Sequence, residues 1–141
     1  MIDEKGLLFI PRNFGTEGET YQYENSLLTI QKIFSVKGIP YKILDDKPIE
    51  YVELRAADIF LPALYITYQI VIENKEIYEI ALDTIKEYLK TIYPFDSKEK
   101  NVKFSLHVEK TEDKVVKILE YDGSIDGLSE LKEAINRIAD E

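Results

Sequence analysis

The stretch from Asp122 to Glu133 has the residue types and the spacing of a calcium-binding loop. Its oxygen-bearing side chains, at the first, third, fifth and twelfth positions, are Asp122, Ser124, Asp126 and Glu133. A glycine, Gly127, stands at the sixth position, where an EF-hand loop turns sharply. Calcium needs several oxygens at about 2.5 Å, and a tight turn of this composition can supply three of them. The sequence therefore offers one candidate calcium site.

Three features of the same stretch depart from the EF-hand pattern. The element before it is predicted to be a strand, whereas an EF-hand has a helix there. Ser129 is polar where a branched apolar residue is usual, and Ile125 stands where a small residue is common. A capped strand–turn–helix explains the same aspartates and glycines without any metal. We favour this second interpretation and expect no cofactor.

The single histidine, His107, is the other residue whose chemistry invites attention. It falls in the polar register of a predicted strand, close to Glu109. An imidazole there could transfer protons near neutral pH, but no nucleophile or second base is identifiable beside it. The chain has no cysteine, which excludes thiolate chemistry, disulfides and cysteine-ligated metals. We expect an exposed strand histidine and a protein that is not an enzyme.

The chain contains ten tyrosines, many for its length. Tyrosine is favoured at interfaces, because one end of the side chain is apolar and the other is polar. The candidates for a contact face are Tyr21, Tyr23, Tyr65, Tyr93 and Tyr121. The alternative is that these rings line the edge of the core.

Composition limits the possible partners. The chain has 141 residues, 45% hydrophobic and 32% charged, and a net charge of −9, which predicts one acidic globular domain, residues 1–141. Nucleic-acid binding needs clustered basic residues, and none is present. No apolar run approaches the roughly 20 residues that span a bilayer, and the N-terminus lacks a signal sequence. We expect a cytoplasmic protein that binds neither nucleic acid nor membrane.

The second half of the chain, residues 64–121, has the clearest pattern of elements. β-Branched and aromatic residues predict a strand over Tyr65–Ile72. Helical spacing of apolar residues follows Asn74 and stops at Pro94. Alternation then predicts a hairpin with one arm over 102–109 and the other over 115–121.

The first half, residues 7–54, follows the same order. A short strand over Leu7–Ile10 is followed by a polar loop, Arg12–Glu24, long enough to invite a functional reading. A helix opens at Glu24 or Asn25 and closes at Gly38, and a hairpin of strands 41–44 and 49–54 completes the half. The apolar link over 55–63 is expected to be buried.

We therefore predict an α+β fold with a mixed sheet of about five to six strands. It is built from two strand–helix–strand–strand units, residues 7–54 and 64–121, with a C-terminal helix over 124–140. The helices should cover mainly one face of the sheet, and the other face then needs cover.

Three classes of function remain open. The first is a non-enzymatic protein-interaction or assembly module that binds itself, as a homodimer, or another protein. The second is a small-molecule-sensing regulatory domain, with its ligand between protomers or under the long loop. An enzyme that uses only carboxylates and tyrosines comes third. A pocket with converging polar groups would favour the second or third class, whereas a flat tyrosine-rich patch would favour the first.

Overall fold

The computed structural model describes residues 6–53, 58–93, 100–113 and 115–139. Within these ranges the chain is α+β, with a mixed six-stranded sheet, a separate two-stranded sheet and four helical regions. The strands are β1 (Leu7–Ile10), β2 (Tyr21–Glu24), β3 (Tyr41–Ile43), β4 (Ile49–Val52), β5 (Ile59–Phe60), β6 (Ala63–Ile66), β7 (Val102–Glu109) and β8 (Val116–Gly123). The helices are α1 (Ser26–Lys37), α2 (Tyr68–Glu73), α3 (Lys75–Ile92) and a 3₁₀ turn (Asp126–Ser129) that leads into α4 (Glu130–Ala139).

Strand β7 organises the six-stranded sheet. It pairs antiparallel with β8 along its whole length, which confirms the predicted hairpin. On its other edge β7 runs parallel to both β5 and β6. Strand β1 then joins β6 antiparallel and β3 parallel, so the sheet is mixed as predicted. The parallel pairing of β6 with β7 across two helices is a crossover connection.

A β-bulge separates β5 from β6. Strand β5 pairs with residues 102–103 and β6 with residues 106–108, so three residues, 61–63, stand opposite two residues of β7. Pro62 lies in this bulge, where its missing amide hydrogen costs the ladder no bond. Of the apolar link over 55–63 that was predicted to be buried, residues 55–57 lie outside the described residues, Ile59 and Leu61 are buried, and Phe60 is half-buried.

All four helical regions contribute to one large core on one face of the sheet. From the helices come residues such as Phe34, Leu82 and Ile135, and from the sheet alternate residues such as Phe9 and Leu106. This one-sided arrangement confirms the expectation that the helices cover mainly one face. Among the described residues, no helix is long and apolar enough to cross a membrane.

The opposite face of the sheet carries only a small apolar cluster. Leu8, Ile10 and Tyr65 are buried there, while β7 contributes its polar register, including Ser105 and His107. The loop that follows β1 lies over part of this face, and the space between loop and sheet is the candidate site described below.

The prediction of a strand over Tyr65–Ile72 is wrong beyond Ile66. The strand ends at Ile66, and Tyr68–Glu73 forms helix α2. Thr67 caps this helix, because its hydroxyl accepts a hydrogen bond from the Ile70 amide at 3.4 Å. The Glu109 carboxylate also accepts the Tyr68 amide at 2.9 Å. These two acceptors override the β propensity of the sequence.

The predicted hairpin of the strands near 41–44 and 49–54 is also wrong. Strand β3 pairs with β1, whereas β4 pairs parallel with β2, from Tyr21–Ile49 to Glu24–Val52. Strand β2 lies inside the stretch that was predicted to be all loop, so the connection after β1 spans only residues 11–20. A hydrogen bond from the Arg12 amide to the Gln22 carbonyl, at 2.7 Å, closes this connection.

Three other predicted elements are confirmed. Helix α1 ends at Gly38, whose φ of 72° is left-handed and suits glycine. Helix α3 follows Asn74 and ends at Ile92. The C-terminal helical region begins at Asp126 and is described to Ala139. Residues 54, 94 and 140, which were predicted to end a strand and two helices, lie outside the described residues.

Candidate functional site

A pocket of about 530 Å³ lies between the loop after β1 and the face of the sheet opposite the helices, the open face. Small-molecule sites usually have volumes of about 300–1,000 Å³, so this pocket has a suitable size. The polar side chains that line it come from four segments of the chain: Arg12, Glu24, Lys103, Ser105, His107, Glu120 and Asp122. Its apolar lining includes Phe14, Phe60, Leu61 and Ala63.

The floor of the pocket is built from directly opposed residues of β7 and β8. Lys103 faces Asp122, and Ser105 faces Glu120. The Lys103 ammonium lies 2.5 Å from the Asp122 carboxylate and 4.0 Å from that of Asp58. The Ser105 hydroxyl donates to Glu120 at 2.6 Å. These cross-strand pairs fix the polar groups of the floor, and the Lys103 ammonium neutralises the charge of Asp122.

The loop after β1 forms one wall, and Asn13 holds its shape. The Asn13 side chain donates to the Thr20 carbonyl and accepts from the Gln22 amide, both at 2.9 Å. The following residue, Phe14, contacts the His107 ring edge to face, with ring centroids 6.2 Å apart. Gly15, at φ 83°, lets the chain turn back. Side-chain hydrogen bonds thus hold this wall over the sheet.

Glu24, at the end of β2, is the most unusual residue of the pocket. It is only 9% exposed, and its Oε1 has no hydrogen-bond partner among the described residues. Its other oxygen, Oε2, lies 3.8 Å from Nε of Arg12. Burial raises the pKa of Glu24, while a hydrogen bond from its own backbone amide and the Arg12 charge oppose this rise. A buried carboxyl oxygen without a donor is costly, which makes this group the strongest sign of a binding site.

His107, on strand β7, also lines the pocket. Burial lowers its pKa, and the negative charge of Glu120 opposes the decrease. A lowered pKa keeps the imidazole neutral at physiological pH. It can then offer one donor and one acceptor to a ligand.

The four residues of the predicted calcium loop do not converge. Asp122 pairs with Lys103, and Asp126 pairs with Lys90 at 3.2 Å. The Ser124 hydroxyl accepts the Gly127 amide at 3.1 Å, and Glu133 pairs with Arg137. No group of three or more acidic, histidine or cysteine side chains that could hold a metal ion occurs in the described ranges. The stretch is a strand–turn–helix.

The five tyrosines proposed as a contact face are dispersed over the molecule. Tyr23 is fully buried, and its hydroxyl lies 3.1 Å from the carbonyls of Phe9 and Leu44. Tyr65 is buried on the open face of the sheet. The other three are partly exposed. The Tyr21 hydroxyl donates to Asp46, and the Tyr121 hydroxyl donates to the Ser124 carbonyl. The Lys100 ammonium lies over the Tyr93 ring. Two of the five are therefore enclosed by their own chain.

Sequence reasoning missed Arg12, Glu24, Ser105 and Glu120 as site residues. The polar register of β7 was visible in the sequence, and it places Ser105 beside His107. The burial of Glu24 has no local signal, because it depends on the parallel pairing of β2 with β4. Comparison with family models, curated proteins and solved structures found no match for this chain.

Proposed function

We propose that this protein binds a small polar molecule in the pocket beneath the loop after β1, as a sensing or carrier domain. The single observation that carries this proposal is Glu24, a buried carboxylate with an unpartnered oxygen on the wall of a pocket of ligand size. Oε1 itself is enclosed, so a ligand would reach it when the carboxyl group turns toward the pocket, and a hydrogen bond donated there would remove the cost of that burial. This function is the second of the three classes left open by the sequence.

The arrangement of the polar groups favours binding over catalysis. The Ser105 hydroxyl donates a hydrogen bond to Glu120, so it is directed at a carboxylate and not at the neighbouring imidazole. Nucleophilic catalysis needs a nucleophile and a base that contact each other and a third group that orients the base. Such a chain does not occur among the described lining residues.

The test is a ligand screen with a blocked pocket as control. Assigned amide NMR spectra would be recorded with free amino acids, polyols, dicarboxylic acids and nucleosides. We expect at least one class to shift resonances of β7, β8 and the loop over 11–20. The variant Ala63→Trp should fill the pocket and abolish these shifts. Val36→Trp is the matched control, because Val36 is 86% exposed on α1.

Two outcomes would contradict the proposal. The first is that no class shifts the resonances of the pocket. The second is that a folded Ala63→Trp variant binds as well as the wild type. Because the wild-type shifts locate the ligand directly, the conclusion does not depend on whether the variant folds.

Self-association is a second candidate function, favoured by strand β8. Among the described strands β8 pairs only with β7, and its Val116 and Ile118 are exposed on the open face of the sheet. An edge strand with exposed apolar side chains can pair with a second copy. Native mass spectrometry of the purified chain would then give a dimer, and Ile118→Lys would shift it to monomer while Val36→Lys would not. A wild-type monomer would exclude this candidate.

A further inference from the structure

We infer that the ligand is a free α-amino acid, with its carboxylate on Arg12 and its ammonium on Glu24. The inference rests on the proposed function and names the ligand class for the same pocket. It depends on two groups of opposite charge that lie side by side and are each incompletely paired.

The Glu24 carboxylate supplies the site for the ammonium. Its Oε1 has no partner among the described residues, and the residue is 9% exposed. An ammonium group carries three donors and a positive charge, so once the carboxyl group turns toward the pocket it would satisfy the oxygen and stabilise the charged form that burial disfavours. A neutral hydroxyl would supply only the hydrogen bond. The buried acid therefore selects a cationic group.

The Arg12 guanidinium supplies the site for the carboxylate. It carries five N–H donors, yet its one contact with the described side chains is the 3.8 Å approach to Glu24. That distance exceeds a hydrogen bond, so the donors keep their capacity. Arg12 lines the pocket and its side chain is 37% exposed. A planar guanidinium in this position can take a carboxylate in a bidentate manner.

The spacing of the two groups matches the ligand. A single carbon joins the ammonium and the carboxylate of an α-amino acid, so its two charges lie next to each other. Arg12 and Glu24 present the complementary charges at adjacent positions, 3.8 Å apart at their nearest atoms. A dicarboxylic acid would place a second negative charge near Glu24, and a diamine would place a positive charge near Arg12.

The rest of the pocket suits an uncharged side chain. On the floor, Lys103 pairs with Asp122, and the Glu120 carboxylate accepts the Ser105 hydroxyl, so each of these groups already has a polar partner. Phe14, Phe60 and Leu61 provide apolar surface on the same pocket. An apolar amino-acid side chain would bury against these residues and bring no further charge into the pocket.

The experiment compares leucine with two analogues that each lack one charge. Binding to the full chain would be measured by NMR titration with leucine, leucinamide and 4-methylpentanoate, after a survey with glycine, alanine, phenylalanine, lysine and glutamate. We expect leucine to bind, and loss of either charged group to weaken binding by at least about tenfold.

Arg12→Gln should lower the affinity for leucine but not that for leucinamide. Glu24→Gln should lower the affinity for leucine but not that for 4-methylpentanoate. Arg137→Gln and Glu133→Gln, which alter an exposed pair on α4, are the matched controls.

Each other result overturns a defined part of the argument. If leucinamide binds as tightly as leucine, the ligand is an amine and the role of Arg12 is wrong. If no amino acid shifts the pocket but a polyol or nucleoside does, the amino-acid inference fails and the proposed function stands. If no class of small molecule shifts the pocket, the proposed function fails as well.

Discussion

The Tyr65 hydroxyl donates a 2.5 Å hydrogen bond to Oε2 of Glu109, a residue 44 positions further along the chain. Both residues are buried on the open face of the sheet. The other oxygen of Glu109 accepts the Tyr68 amide at 2.9 Å. One carboxylate at the end of β7 thus holds the end of β6 and the first turn of α2 together. This contact fixes where the strand stops and the helix begins.

Tyr65→Phe should destabilise the fold by about 1.5–3 kcal/mol, because it removes a donor from a buried carboxylate. Glu109→Ala should cost more, since it leaves both the Tyr65 hydroxyl and the Tyr68 amide unpaired. Urea unfolding would measure both. Tyr51→Phe is the control, because Tyr51 is 41% exposed and its change should stay within about 0.5 kcal/mol. A Tyr65→Phe variant as stable as this control would show that the contact contributes nothing.

Glu24→Gln should change how stability depends on pH. Burial raises the pKa of Glu24 in the folded protein. In the pH range just above the ordinary carboxyl pKa, the folded protein therefore binds more protons than the unfolded chain. Stability then falls as pH rises through that window. The variant lacks this decrease in stability. Its free energy of unfolding should therefore gain on that of the wild type as the pH rises from about 4 to about 7. Urea unfolding at several pH values measures the difference. Glu133→Gln, which changes an exposed side chain, should show the same dependence of stability on pH as the wild type. The prediction is refuted if Glu24→Gln shows that same dependence.

Two buried tyrosines should make the protein sensitive to alkali. Burial raises the pKa of Tyr23 to about 12 and that of Tyr78 to about 12, whereas unfolded tyrosine ionises near 10. Their contribution to the stability of the folded protein is complete below about pH 10 and is lost as the pH rises toward about 12. Phenolate absorbance should therefore show a late group of tyrosines that titrates together with unfolding. Tyr78→Phe should reduce the amplitude of that late group. A late group of unchanged amplitude in this variant would contradict the assignment.

Calcium should leave the melting temperature unchanged. The side chains of the predicted loop point to separate partners, with Asp122 on Lys103 and Asp126 on Lys90. Calcium binding would have to break these ion pairs before the oxygens could converge. Differential scanning calorimetry with and without calcium at millimolar concentration checks this expectation. A rise in melting temperature that Asp126→Asn removes would restore the calcium hypothesis.

The sequence by itself determined the elements whose signals are local. The apolar spacing of α3, the glycine that ends α1 and the alternation of β7 are properties of a few neighbouring residues. They follow from the 3.6-residue and two-residue periods of helix and strand. The α+β class and the one-sided placement of the helices followed from the same patterns.

Tertiary structure decided the features that depend on distant partners. Tyr68–Glu73 is helical because Glu109 accepts the Tyr68 amide from across the fold. Strand β4 pairs with β2 instead of β3, and that pairing fixes the position of Glu24 at the end of β2. Burial of one carboxylate beside Arg12 is a property of the assembled sheet and loop, and so the Arg12–Glu24 pair has no signature in the sequence. Local propensities are worth fractions of a kcal/mol per residue, so a single buried hydrogen bond to a charge can override them.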